Sequence, residues 1–130
     1  MKIMKCARTA HTPEVVLDTE AGTLLIEGEC YPENPATFFQ PVIGAVQMVL
    51  ASGSLKQFHA RFRLAYVNSA STKSMRQLFL ILNEAAKAGC NVDVAWEFDE
   101  DDDAIQDLGE DLMYGLGIPY LAFHETPYVA

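Results

Sequence analysis

The sequence has few cysteines, few basic residues and no long apolar run. Its three cysteines lie far apart without a CxxC pair, which argues against a disulfide framework and against a cysteine zinc site. The 9 Lys and Arg face 18 Asp and Glu, and the net charge of −9 repels nucleic-acid phosphates and anionic lipids. No apolar stretch reaches the roughly 20 residues that span a bilayer, and the polar start lacks the apolar core of a signal peptide. We therefore expect a cytoplasmic protein that binds neither nucleic acid nor membrane.

Half of the 130 residues are apolar and 21% are charged. This balance is typical of a globular chain and not of a disordered one. A chain of this length can bury one hydrophobic core without disulfide or metal staples. Residues 1–130 are therefore expected to form a single domain.

The hydrophobic pattern switches several times between the period of two of a strand and the period of 3.6 of a helix. The predicted helices follow Asn34, Asn68 and the acidic run Asp99–Asp103. In the longest predicted strand, every second residue from Phe58 to Tyr66 is expected to face the core. The third helix is expected to run as far as Leu116. The predicted strands are Val15–Leu17, Thr23–Glu29, Phe58–Tyr66, Val92–Phe98 and Pro119–His124.

These elements follow one another in the order β-β-α-β-α-β-α-β. Strands that alternate with helices are typical of parallel neighbours joined by right-handed crossovers. The sequence therefore predicts an α/β fold with a single mixed β-sheet covered by helices.

Recognisable enzyme signatures are missing from the sequence. It has no Gly-rich phosphate loop, no HExxH and no GxSxG, and its three histidines fall on different elements. A buried cysteine more often acts as a small hydrophobe than as a nucleophile. We therefore predict no catalytic residue, no metal and no cofactor. The alternatives are a small enzyme or ligand-binding α/β domain, with a pocket near Cys30, Cys90 or the acidic run, and a purely structural oligomer.

The acidic run Asp99–Asp103 comes directly before the third predicted helix. It lacks the glycine and the spaced ligands of a calcium loop. Carboxylates at this position accept hydrogen bonds from free N–H groups and face the positive end of the helix dipole. We interpret the run as hydrated capping residues, with an acidic patch for docking a partner as the other interpretation.

The segment Tyr66–Ser74, with the sequence YVNSASTKS, carries more hydroxyls than a strand-to-helix turn needs. In one interpretation Asn68 or Ser69 caps the helix and the other hydroxyls face water. In the other interpretation a hydroxyl at the helix N-terminus accepts a phosphate, which free N–H groups and the helix dipole stabilise. Lys73 and Arg76 follow Ser69 at helical spacing. They are placed to pair with a phosphate or with an acidic partner.

Three segments in combination resemble the SiaC family of bacterial regulatory phosphoproteins. They are LLIEGECYPENPATFF, FRLAYVNSASTKSM and NVDVAWEFDEDDDAIQDLGEDL, and they cover most of the chain from Leu24 to Met113. The specific combination is YPENP, the asparagine-hydroxyl turn, and a tryptophan-bearing strand that runs into an acidic helix start. The resemblance implies a single SiaC-like domain with the STAS-like fold of anti-sigma-factor antagonists.

The resemblance also implies a non-enzymatic adaptor in a partner-switching pathway. In the family, a dedicated kinase phosphorylates the hydroxyl residue directly after the asparagine of this turn, and a PP2C-type phosphatase removes the phosphate. The unmodified form binds an effector such as a diguanylate cyclase and promotes its cyclic-di-GMP output, which regulates biofilm formation.

Carried onto this sequence, the family pattern makes Ser69 the phosphoacceptor, where the family often has threonine. Ser71 and Thr72 are the second choices. Asn68 sets the turn, and the exposed surfaces of the first two helices are the candidate partner interface. The residues expected to flank the phosphate and contact a partner are Asn68, Lys73 and Arg76.

Overall fold

The computed structural model describes residues 3–115, 117 and 120–129. Within these ranges the chain forms six strands, three α-helices and one π-helical turn, Asp111–Gly115. The strands are β1 (Ile3–Cys6), β2 (Glu14–Asp18), β3 (Thr23–Cys30), β4 (Gln57–Val67), β5 (Asn91–Asp99) and β6 (Ala122–Tyr128). The helices are α1 (Pro35–Ala51), α2 (Ser69–Lys87) and α3 (Asp103–Glu110).

The six strands form one mixed sheet in which they lie in chain order. The pairs β1–β2 and β2–β3 are antiparallel, whereas β3–β4, β4–β5 and β5–β6 are parallel. Each parallel pair is connected through a helix, because parallel strands need a long crossover. The predicted α/β fold with a single mixed sheet is confirmed.

The helices cover one face of this sheet, and the hydrophobic core lies between the helices and the sheet. Along β5, and along β4 as far as Leu64, every second side chain is buried, which is the pattern of a sheet with one packed face. The rings of Phe62 on β4 and Phe79 on α2 lie 5.3 Å apart, and those of Phe62 and Trp96 lie 5.5 Å apart. Trp96 Nε1 also donates a hydrogen bond to the carbonyl of Ile105 on α3 at 2.8 Å. These aromatic contacts fix α2 and α3 on the same face.

The opposite face of the sheet is open and carries paired charges. The Arg61 guanidinium contacts Glu97 on the neighbouring strand through two hydrogen bonds of 3.1 and 3.3 Å. Arg63 lies 3.8 Å from the centre of the Tyr128 ring. Cross-strand pairs of this kind stabilise a sheet without a covering layer.

Each helix begins at a side chain that caps it. Asn34 Oδ1 accepts a hydrogen bond from the Thr37 backbone amide at 3.2 Å. Pro35 occupies the first helical position of α1. Asp102 Oδ1 accepts a hydrogen bond from the Ile105 amide at 3.1 Å. The capping interpretation of the acidic run is therefore confirmed at Asp102. No helix in the described part of the chain is long and apolar enough to cross a membrane.

The observed elements differ from the predicted ones at both ends of the chain, by an added strand at the start and by changed bounds at the end. Ile3–Cys6 forms β1, which the sequence pattern missed because this short edge strand buries no side chain fully. The last strand runs to Tyr128 and does not end at His124. Leu116 and Pro119, which were expected to end the third helix and to begin the last strand, lie outside the described residues.

The prediction that Tyr66 faces the core is wrong. Gly28 pairs with Leu64, whereas Glu29 pairs with Tyr66, so that Ala65 is an extra residue in β4. Such a β-bulge reverses the alternation of side chains along its strand. Leu64 is buried, but Tyr66 is 52% exposed. The bulge therefore turns Tyr66 out of the core next to the end of β4.

Candidate functional site

The turn between β4 and α2 is closed by the side chain of Asn68. Asn68 has extended backbone angles, and its Oδ1 accepts a hydrogen bond from the Ser71 amide at 3.0 Å. Its carbonyl accepts a second hydrogen bond from the Thr72 amide at 3.3 Å. Asn68 is therefore the N-cap of α2, and Ser69 occupies the first helical position.

The same turn is attached to the end of β3. The backbone amide of Asn68 donates a hydrogen bond to the backbone carbonyl of Cys30 at 3.0 Å. Cys30 itself is fully buried, and burial raises the pKa of its thiol to about 11, with a smaller lowering by the Ser71 hydroxyl. The turn is held between the carboxyl ends of two parallel strands, which lie at one edge of the sheet.

The three candidate hydroxyls differ sharply in exposure. Ser69 is exposed at the start of α2. Thr72 is half-buried, and its Oγ1 hydroxyl donates a hydrogen bond to the Asn68 carbonyl at 3.4 Å. Ser71 is 0% exposed, and its hydroxyl has no hydrogen-bond partner of good geometry among the described residues. Of the three, only Ser69 is fully presented to another protein in the folded chain.

The charges around Ser69 suit an added anion. The first turn of α2 contains no acidic residue, whereas α3 has Asp103 in its first turn after the Asp102 cap. The first amide groups of a helix have no intrahelical acceptor and carry partial positive charge. Lys73 and Arg76 are both exposed on α2. The first turn of α2 therefore combines free amide groups with no acidic side chain, and Lys73 follows Ser69 by one helical turn.

A groove runs between α1 and α2 from the Ser69 end to the opposite end of the helices. The part at the Ser69 end, here called the upper part, has a volume of about 780 Å³. The part at the opposite end, the lower part, has a volume of about 490 Å³. Gln47 and Gln77 line both parts, and Ala70 and Lys73 line the upper part close to Ser69 in the chain. The lower part is more apolar, with Leu50, Leu80, Ile81 and Ala85 among its lining residues.

The other candidate positions from the sequence do not join this site. Cys30 is fully buried, Cys90 is half-buried, and burial raises the pKa of the Cys90 thiol as well. Neither cysteine and no residue of Asp99–Asp103 lines the groove between α1 and α2. In the described ranges, no group of three or more His, Cys, Asp and Glu side chains is arranged to hold a metal ion.

A shallow groove of about 370 Å³, which was not predicted from the sequence, lies on the open face of the sheet. There the His59 Nδ1 atom lies 3.1 Å from Asp93 Oδ2, and the His124 Nε2 atom lies 3.8 Å from Asp93 Oδ1. The signal available in the sequence was that polar residues such as His59 and Asp93 alternate with apolar residues along the predicted strands. That signal identifies a shared face only after the strand order is known.

The comparison with protein families gives a match over nearly the whole chain. The matching family is described as SiaC family regulatory phosphoprotein, and the match covers residues 6–125. The chain belongs to the SiaC family. The resemblance inferred from the three sequence segments is thereby confirmed.

The SiaC family is also represented among the solved structures that the chain resembles. The crystal structure of apo-SiaC from Pseudomonas aeruginosa matches with a TM-score of 0.83 and 31% identity, covering 95% of this chain and 99% of that one. The SiaC chain of the complex between the diguanylate cyclase SiaD and its activator SiaC, from the same organism, matches with a TM-score of 0.83 and 30% identity. This second match covers 94% of this chain and 98% of that one.

A curated relative of the chain comes from Pseudomonas aeruginosa strain UCBPP-PA14. This protein, described as uncharacterized, is 32% identical over 112 residues, which are 86% of this chain and 88% of the relative. The similarity to this relative extends over most of both chains.

Proposed function

We propose that this chain is a bacterial adaptor whose unmodified form binds and activates an effector, and that phosphorylation of Ser69 ends this binding. The effector class we propose is a diguanylate cyclase, because the SiaC of the solved complex is described as the activator of the diguanylate cyclase SiaD. In this proposal the chain has no catalytic residue of its own and acts in the cytoplasm by docking alone.

The observation that carries the proposal is the position of Ser69. It is exposed at the first position of α2, directly after the capping Asn68. The family is one of regulatory phosphoproteins, and free amides at a helix start stabilise a phosphate. Lys73 and Arg76 follow Ser69 four and seven residues later on the same helix, and both are exposed. Ser71 is fully buried, which leaves Thr72 as the only second choice that a kinase reaches without unfolding the turn.

The proposed effector surface is the groove between α1 and α2. Its lower part is apolar and open and includes the exposed Leu80. Met48 is a second exposed apolar side chain, on α1. Apolar patches that remain exposed on a folded domain are typical of interaction sites. The upper part of the groove adjoins the Ser69 turn, so that a partner seated along both helices would approach Ser69.

The switch requires no change of fold. A phosphate adds about −1.5 to −2 charges at neutral pH. Placed at the edge of a docking surface, this charge repels acidic groups of the partner and must be desolvated when the partner binds. In the proposal a dedicated kinase adds the phosphate and a PP2C-type phosphatase removes it.

Intact-mass measurement on the chain purified from its native host cells tests the proposal. We expect a species with one added phosphate, which Ser69→Ala abolishes and Thr72→Ala retains. In a binding assay with the diguanylate cyclase partner, we expect Ser69→Asp to weaken binding at least tenfold. Gln57→Glu, which adds a negative charge at the amino end of β4, is the matched control. Phosphate that persists in the Ser69→Ala variant would refute the assignment.

A further inference from the structure

Three rings form a contiguous exposed cluster at the edge of the sheet that carries Ser69. The Tyr31 ring lies 5.8 Å from the His11 ring in a stacked arrangement and 5.6 Å from the Tyr66 ring in an edge-to-face arrangement. Tyr31 is 38% exposed and Tyr66 is 52% exposed. We call these three residues the aromatic platform.

The platform is held rigidly by the backbone around it. The Tyr31 hydroxyl donates a hydrogen bond to the Ala10 carbonyl at 3.0 Å, and the Tyr31 amide donates one to the His11 carbonyl at 2.8 Å. The bulge at Ala65 turns Tyr66 outward so that its ring meets Tyr31. Bulges that redirect a side chain are common beside functional sites, and rigid aromatic rings bind partners at low entropic cost.

The platform lies beside the phosphoacceptor turn. Tyr66 precedes Ser69 by three residues, and three residues span at most about 11 Å. Tyr31 directly follows Cys30, whose carbonyl accepts the hydrogen bond from the Asn68 amide. A typical protein interface covers about 800 Å² on each partner, a patch of about 16 Å radius. An enzyme centred on Ser69 therefore also covers both tyrosines.

The platform and the groove between α1 and α2 lie on different sides of Ser69. Tyr66 pairs with Glu29, and the alternation of β3 places Glu29 on the open face of the sheet. The groove lies on the opposite face, between the two helices. The Tyr66 ring therefore faces away from an effector seated in the groove, whereas an enzyme that acts on Ser69 spans the end of the strands between the two surfaces.

We infer that Tyr31 and Tyr66 form the recognition surface for the kinase that phosphorylates Ser69, and that the kinase presents an apolar patch to the two rings. The inference rests on the proposed phosphorylation of Ser69. Exposed tyrosines in a rigid cluster are the residue type that carries a large share of binding energy at interfaces. On this basis the chain uses separate surfaces for its kinase and for its effector.

The test uses the purified kinase that produces the Ser69 phosphate on the wild-type chain. The measured quantity is kcat/KM for phosphate incorporation into the full chain. We expect Tyr31→Ala and Tyr66→Ala each to lower kcat/KM about tenfold or more. Tyr66→Phe, which keeps the ring, should retain the wild-type value. Effector binding should stay within twofold of wild type in all three variants.

The matched control is Tyr120→Ala. Tyr120 is 55% exposed. It precedes β6 and therefore lies near the amino ends of the parallel strands, whereas Ser69 lies at their carboxyl ends. This variant should keep both the wild-type kcat/KM and the wild-type effector binding. A melting temperature within a few degrees of wild type shows that the Tyr31 and Tyr66 variants remain folded, and if Tyr31→Ala does not fold, Tyr66→Ala alone decides the outcome.

The possible failures are distinguishable. If the wild-type chain carries no phosphate at Ser69 in its own cell, the proposed function fails, and the kinase surface fails with it. If Ser69 is phosphorylated but the alanine variants keep kcat/KM within twofold of wild type, only the kinase surface is refuted. If these variants lose effector binding and keep kcat/KM, the platform belongs to the effector and the inference is wrong.

Discussion

The backbone amide of Asn68 donates a hydrogen bond to the carbonyl of Cys30 at 3.0 Å. This contact joins the start of α2 to the end of β3, although the two residues are far apart in the chain. Asn68 also caps α2 through its side chain. One residue therefore sets both the position of the Ser69 turn on the sheet and the start of the helix that carries Ser69.

The first prediction separates these two roles of Asn68. Asn68→Ala removes the side-chain cap but keeps the backbone amide, so we expect the free energy of unfolding to fall by about 1 kcal/mol. Urea unfolding at neutral pH measures this change. Asn91→Ala is the control, because Asn91 is exposed and its backbone amide bonds to the Lys56 carbonyl. Equal stability losses in the two variants would contradict the capping role.

The second prediction concerns the groove between α1 and α2. Leu80 lines its lower part and is 45% exposed. Leu80→Glu places a charge in an apolar contact, and we expect effector binding to weaken at least tenfold while stability changes by no more than about 0.5 kcal/mol. Ile3→Glu, at an exposed position on the edge strand β1, should leave binding unchanged. Titration calorimetry with the cyclase partner makes the comparison, and unchanged binding in Leu80→Glu would exclude this groove.

The third prediction compares two glycines in helices. A Cβ atom on Gly109 of α3 would lie 2.5 Å from two ring atoms of the buried Trp96, whereas a Cβ atom on Gly44 of α1 meets nothing within 4 Å. We expect Gly109→Ala to lower the free energy of unfolding by about 2–3 kcal/mol because the Trp96 ring must move. Gly44→Ala should raise it by about 0.5–1 kcal/mol. Denaturant unfolding of both variants decides whether α3 packs this closely on Trp96.

The fourth prediction is a pH dependence that originates at Cys30. Burial raises the pKa of this thiol from 9.0 to about 11, so between these values the folded chain holds a proton that the unfolded chain releases. Stability from this group is complete well below pH 9 and falls as the pH rises toward 11, by about 1.4 kcal/mol at pH 10. Urea unfolding at pH 7.5 and pH 10 should therefore show a smaller loss in Cys30→Ala than in wild type. An identical loss in both proteins would mean that Cys30 does not titrate in this way.

Most of the fold could be predicted from the sequence because its signals are local. Asn34 and Asn68 cap helices through contacts with residues three positions away. The alternation in β3, β4 and β5 reflects one buried face, and the alternation of strands with helices predicts parallel pairs. The start of the second helix near Ser69 was predictable for the same reason, because capping depends on residues close together in the sequence.

The features that were missed depend on pairing between distant segments. β1 is a strand because Ile3–Cys6 pairs with β2, and its own short pattern contains no buried position. Tyr66 faces outward because the register between β3 and β4 shifts at Ala65. A strand's own sequence does not contain its partner's register, so neither feature was visible in the local pattern.

For the candidate site, the sequence by itself determined the capped turn, the hydroxyl that follows Asn68, and the basic residues Lys73 and Arg76. These depend on spacing within one or two turns of a helix. Only the tertiary structure decided that Ser71 is enclosed beside Cys30 while Ser69 stays exposed. It also placed Tyr31 against Tyr66. The physical reason is that burial and ring contact are set by which elements pack together, and the ends of β3 and β4 meet only in the folded sheet.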